Sequence, residues 1–99
     1  MFDLQWTDAA LEVYRSLEKS SRPGLFKQVQ KALKFLKQNP RHPGLETHPF
    51  HSLENPFKKD GKVFEAYAQN NTPGAHRIFW CYGPGSNDIT ILAITKHPK

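Results

Sequence analysis

The sequence predicts an α+β domain: one strand, a helical hairpin, then an antiparallel meander of three or four strands. Three observations give this. Phe2-Asp3-Leu4-Gln5-Trp6 alternates apolar and polar residues with period two, as a half-buried strand does. Two stretches between residues 8 and 39 carry apolar residues at helical spacing. The second half holds apolar runs separated by clusters of Pro, Gly and Asn. At 99 residues the chain has the size of a single domain, 1–99, with one sheet and one helical layer.

Each element follows in order. Thr7 offers a hydroxyl as N-cap, and Asp8 suits the positive end of a helix. Ala10, Leu11, Tyr14 and Leu17 make one stripe, so the first helix should run from about Asp8 to Lys19. Ser20 to Gly24 breaks it, and Pro23 fits the first turn of a second helix. There Leu25, Val29, Ala32, Leu33 and Leu36 form the stripe, while Lys27, Lys31 and Lys34 make a solvated face. Pro40 stops this helix near Asn39, because the residue before proline avoids helical geometry.

Arg41 to Gly61 is rich in Pro, Gly and His, with a short strand expected at His51-Ser52-Leu53-Glu54 and a basic turn from Asn55 to Gly61. Val63–Ala68, Ala75–Tyr82 and Ile89–Thr95 read as strands, with turns at Asn71–Gly74 and Gly83–Asn87. The last strand is the most apolar and is expected to be central. The helices should cover one side of the sheet and leave the other open to a ligand.

Lys and Arg number 14 against 9 acids, a net charge of +5. Nine of those fourteen lie between Arg22 and Lys62, where the acids are Glu46, Glu54 and Asp60. This balance suits an anionic partner. Cys81 is the only cysteine, which excludes an internal disulfide and a cysteine metal site; it reads as a packed strand residue. His42, His48 and His51 are spaced by six and three, which matches no strong metal template. No signal peptide and no apolar run of ~18–20 residues is present, so the expected location is the cytoplasm and no membrane partner is expected.

Strand parity then links the polar groups. If Tyr67 pairs with Arg77, Glu65 lies opposite Phe79. Glu65, Tyr67 and Arg77 then share one face, and Phe64, Ala66, Ile78 and Trp80 face the helices. A guanidinium in an apolar strand needs partners, and its planar fork matches phosphate oxygens. Attack of a 2′-hydroxyl on RNA needs a base, a cation for the phosphorane, an acid for the leaving oxygen and a grip on the strand. Arg77 suits the cation, Glu65 the base and His97 the acid. Lys58, Lys59, Lys62 and Lys96 suit flanking phosphates, and Tyr67 suits stacking on a base. A plain cross-strand ion pair between Glu65 and Arg77 is the competing reading.

Nearly the whole chain resembles the RelE/ParE superfamily of toxins from bacterial toxin–antitoxin modules, on its RelE-like branch. The residues that carry this are Phe2 to Thr7 with Ala10, Tyr14 and Leu17, then Val63–Tyr67, His76–Trp80 and Ile89–His97. The resemblance implies a ribosome-dependent mRNA endoribonuclease, needing no metal or cofactor. It implies Arg77 as phosphate-binding arginine, His97 as general acid, and Lys58, Lys59 and Lys62 as grips on RNA and ribosome. The implied partners are mRNA, the ribosome and an acidic antitoxin through which the complex binds operator DNA. Three departures stand out: the chain stops at Lys99, without the extra C-terminal helix of some members; His76 precedes the arginine where an aromatic is more usual; and Lys96-His97-Pro98-Lys99 lacks the Tyr that often follows or replaces the His. The superfamily also contains gyrase poisons, so a ParE-like gyrase inhibitor and a non-catalytic nucleic-acid-binding protein are the alternatives.

Overall fold

A computed structural model describes residues 1–69 and 75–96. The chain runs β1 (Asp3–Trp6), α1 (Asp8–Glu18), α2 (Pro23–Gln38), a 3-10 turn (Pro43–Leu45), β2 (His48–Pro49), β3 (Phe64–Tyr67), β4 (His76–Tyr82) and β5 (Asp88–Lys96). The expected turn at Asn71–Gly74 lies outside the described residues. Both helices form where their stripes place them. The Thr7 hydroxyl accepts from the Ala10 N–H at 3.1 Å, and Pro23 stands in the first turn of α2. All five stripe residues of α2 are buried.

The five strands form one sheet in the order β1-β5-β4-β3-β2. The strands β2 to β5 make the antiparallel meander, but β1 pairs in parallel with β5, so the sheet is mixed. The helical hairpin explains this: it crosses one face and carries the chain from one sheet edge to the other. There its apolar stripe meets Ala66, Ile78, Trp80, Ile89, Ile91 and Ile94 in the main core. An irregularity between Phe79 and Trp80 pairs Phe79 with Ala93 but Trp80 with Ile91, which leaves Leu92 as the extra residue. That residue resets the alternation of β5, so that Ile89, Ile91 and Ile94 all face the helices.

Three expectations are corrected. The strand expected at His51–Glu54 forms at His48–Pro49 instead, and the Phe50 N–H still reaches the Val63 carbonyl at 2.8 Å before the chain leaves the sheet. An edge position tolerates Pro49, which has no N–H to pair. The strand β5 is interior but not central; β4 is. Finally, the face away from the helices is not bare. Glu65, Phe79 and Cys81 are buried there, and the Phe50 ring packs on Phe79 with centroids 4.7 Å apart.

The segment that follows Phe50 is organised by Asn55. Its Oδ1 accepts from the N–H groups of Phe57 and Lys58 at 2.8 and 3.1 Å, and its Nδ2 donates to the Lys62 carbonyl. A Cβ at Gly61 would stand 2.7 Å from the Asn55 amide and 2.9 Å from the Lys58 carbonyl, so this turn requires glycine.

Candidate functional site

The register pairs Tyr67 with Arg77 and Glu65 with Phe79, as the parity argument requires. On the face away from the helices, Tyr67, Arg77 and Thr95 form one row, and His48, Glu65, Phe79 and Ala93 the next. This end of the face stays accessible: Thr95 is exposed and Tyr67 half-buried.

Arg77 is only 9% exposed, so its charge must be held by protein. Its Nη1 donates to the Gln69 carbonyl at 2.8 Å and more weakly to the His76 carbonyl at 3.4 Å. Its Cζ lies 3.7 Å from the centre of the Tyr67 ring, a flat cation–π contact. The Nε is buried without a partner among the described residues. The guanidinium is thus fixed in orientation. Tyr67 supports Arg77 with one ring face, which limits the base-stacking role expected of it to the other.

Gln69, absent from the sequence reading, ties this end of the sheet together. Its carbonyl holds Arg77, its Oε1 accepts from the His76 N–H at 3.1 Å, and its Nε2 donates to Gln28 Oε1 on α2 at 2.9 Å.

Glu65, expected as an exposed base or as the partner of Arg77, is fully buried. Its Oε1 lies 2.6 Å from His48 Nε2, and the His48 side chain is 42% exposed. The other ring nitrogen of His48, Nδ1, faces the Glu46 carbonyl at 3.0 Å and so carries a proton. One further proton is therefore shared between Nε2 and the carboxylate, and His48 is the solvent-facing end of the pair. His48 also sits edge-on to Tyr67, with centroids 5.8 Å apart. The imidazole touches the phenol and the phenol the guanidinium across the two rows, and the carboxylate lies against the imidazole. Residue order does not reveal His48 as a partner of Glu65, because it lies 17 positions away and meets it only through the register of β2 on β3.

The other expected residues lie elsewhere. Lys58, Lys59 and Lys62 are exposed on the loop at the far end of β3, and Lys62 is roughly 16 Å from Tyr67 at ~3.3 Å per strand residue. Lys96 pairs with His76, one residue out of phase with Arg77, and so leaves the sheet from the helix side. Burial first, then the charges of Arg22 and Lys96, hold the His76 imidazole below its usual range. His97 lies outside the described residues. Burial raises the Cys81 thiol, consistent with its packing role. Among the described residues no three His, Cys, Asp or Glu side chains gather as a metal site, and no helix is long and apolar enough to cross a membrane.

This helical hairpin over a mixed five-stranded sheet is the RelE-like fold. Three solved structures show the likeness over essentially full length. The YoeB/ParE toxin from Agrobacterium tumefaciens superposes with a TM-score of 0.71 at 12% identity, covering 97% of this chain and 99% of that one. The YoeB dimer from Staphylococcus aureus gives 0.69 at 16% identity, covering 98% of each. A chain of the intact E. coli RelBE toxin–antitoxin complex gives 0.63 at 13% identity, covering 100% of each. Identities this low establish the fold and leave activity to the site. No family model and no curated relative matches the sequence.

Proposed function

We propose that the chain is the toxin of a toxin–antitoxin pair, cutting mRNA on the ribosome in the cytoplasm by metal-independent attack of the 2′-hydroxyl. The observation that carries this is Arg77: a buried guanidinium, stacked flat on Tyr67, on the face and at the end of the sheet that stay accessible. A fixed cation of this kind costs stability to bury and is suited to a phosphate whose charge grows during reaction.

In this reading the 2′-oxygen attacks phosphorus, and Arg77 stabilises the phosphorane oxygens. The hydroxyl proton passes to the His48–Glu65 pair. The pair already shares one proton, so the hydroxyl must displace Glu65 from Nε2 with that proton kept on the carboxyl; Nε2 then takes the hydroxyl proton, which leaves an imidazolium beside a neutral carboxylic acid. His97 gives its proton to the leaving 5′-oxygen, so the products are a 2′,3′-cyclic phosphate and a 5′-hydroxyl. Lys58, Lys59 and Lys62 hold the strand and ribosome further along. Lys96, on the other side, meets phosphate that passes around the sheet end. An acidic antitoxin covers the basic surface and brings the complex to operator DNA.

Arg77→Ala tests the reading on purified ribosome–mRNA complexes mapped by primer extension. Loss of about 3–4 kcal/mol of transition-state stabilisation, by analogy with oxyanion-hole donors, lowers cleavage some hundredfold or more. Wild-type cleavage by this variant removes Arg77 from the mechanism. Uncut RNA with stalled gyrase–DNA complexes from the wild-type chain assigns it to the gyrase poisons.

A further inference from the structure

On the helix side of the sheet, at the β2–β3 edge, lies a cleft of about 490 Å³ whose lining includes His48 and Lys62 of the nuclease reading but none of Glu65, Tyr67 and Arg77. Its volume falls within the roughly 300–1,000 Å³ usual for small-ligand sites. One wall is aromatic. Phe64 and Trp80 stack with centroids 4.8 Å apart, and Tyr82 stands edge-on to Trp80 at 4.9 Å while remaining 43% exposed. The opposite wall is the segment around the 3-10 turn. It is held by His42 stacked on Phe35 of α2 at 4.0 Å, and by the Thr47 hydroxyl donating to the Pro40 carbonyl at 3.1 Å. The rim carries Arg41 and Lys62, both exposed, and one carboxylate, Glu46, so cations are in excess.

The second, independent observation is Trp80 itself. It is 1% exposed and lines the cleft, and its indole Nε1–H is buried with no hydrogen-bond partner among the described residues. A buried donor without an acceptor is destabilising, and a phenylalanine would fill much of this space without that penalty.

We propose that this cleft binds a single nucleotide unit. The base lies against Phe64 and the exposed Tyr82, a ring acceptor reaches the indole N–H of Trp80 behind them once these two rings part, and the phosphate sits at the Arg41–Lys62 rim. Aromatic stacking with flanking cations is the chemistry that holds unpaired nucleotides with little sequence preference. The nucleotide comes either from a free mononucleotide or from an RNA strand passing the sheet edge. The cleft stands on its own geometry and does not rest on the nuclease reading.

Trp6 and Trp80 are the only tryptophans, so the two indole N–H resonances report the site directly by NMR, with Trp80→Phe assigning them. The intact protein is titrated with 5′-AMP, inorganic phosphate and a 2′-O-methyl trinucleotide that cannot be cleaved by 2′-attack. Saturable movement of the Trp80 resonance, with Trp6 unmoved, is expected for AMP, the trinucleotide or both. AMP alone identifies a free ligand, and the trinucleotide alone identifies a strand subsite. Arg41→Ala should weaken whichever binding the Trp80 resonance reports about tenfold or more. An unmoved Trp80 resonance with both ligands, movement with inorganic phosphate equal to that with AMP, or an Arg41→Ala variant that binds as the wild type overturns the proposal. Because Arg41 takes no part in the cleavage steps, a failed cleft leaves the cleavage mechanism standing, and the reverse holds.

Discussion

Arg77→Lys separates charge from geometry at the proposed phosphate site. The substitution keeps a cation but removes the planar fork that lies 3.7 Å above Tyr67 and donates to Gln69 at 2.8 Å. A desolvated cation–π contact contributes about 1–2 kcal/mol, and a hydrogen bond from a charged group about 1.5–3 kcal/mol, part of which an ammonium recovers. Arg77 is 9% exposed, so solvent screens these contacts little. A net positioning loss of about 2–3 kcal/mol follows, or a fall of about 30- to 150-fold in the cleavage step. Single-turnover cleavage of mRNA on purified ribosomes measures it, with urea unfolding as the control for folded protein. A Lys variant that is folded and cuts within about threefold of wild type, a difference below 1 kcal/mol, refutes the claim that the fixed guanidinium plane matters.

Three further outcomes are expected. His48→Gln removes the imidazole 2.6 Å from Glu65 and slows cleavage; because His48 is 42% exposed, the folding penalty is held to about 1–2 kcal/mol, and an unchanged rate with normal folding returns the pair to a structural role. His76 has a folded pKa below 6.5, so the unfolded chain binds the extra proton: stability is full above about pH 6.5 and falls as pH drops toward the folded value. Urea midpoints at pH 5 and 7 should therefore differ less for His76→Gln than for wild type. Thr7→Ala loses the N-cap bond to Ala10 and the hydroxyl bond to the Leu92 carbonyl, and should lower unfolding free energy by about 1–2 kcal/mol in urea titration.

Local rules made both helices and the three long strands readable. The stripes of α1 and α2, the Thr7 cap and the Pro23 start act within one or two turns of chain, and the structure repeats them. Arg77 was legible as a site candidate for a related reason: a charge in an apolar strand conflicts with its surroundings, and such conflicts often mark function. The misplaced short strand has the opposite cause. His48–Pro49 is two residues long, and its pairing with β3 depends on where the chain returns after crossing the sheet.

The same distinction governs the site. Side-chain alternation along β3 and β4 depends only on period two, so the shared face of Glu65, Tyr67 and Arg77 was available from sequence once one register was chosen. Which partner Glu65 takes was not, because His48 reaches it through a third strand. Nor was the cover that Phe50 lays on Phe79, which depends on the path of a loop. Lys96 shows how narrow the margin is: one step along β5 sends a cation to the opposite side from Arg77, and a single extra residue at Leu92 fixes that phase for the whole strand end. Residue order thus set the elements and their apolar faces, because those arise from contacts near in the chain. The meeting of imidazole, carboxylate, phenol and guanidinium was decided only when distant segments packed, because register and loop path are properties of the assembled sheet.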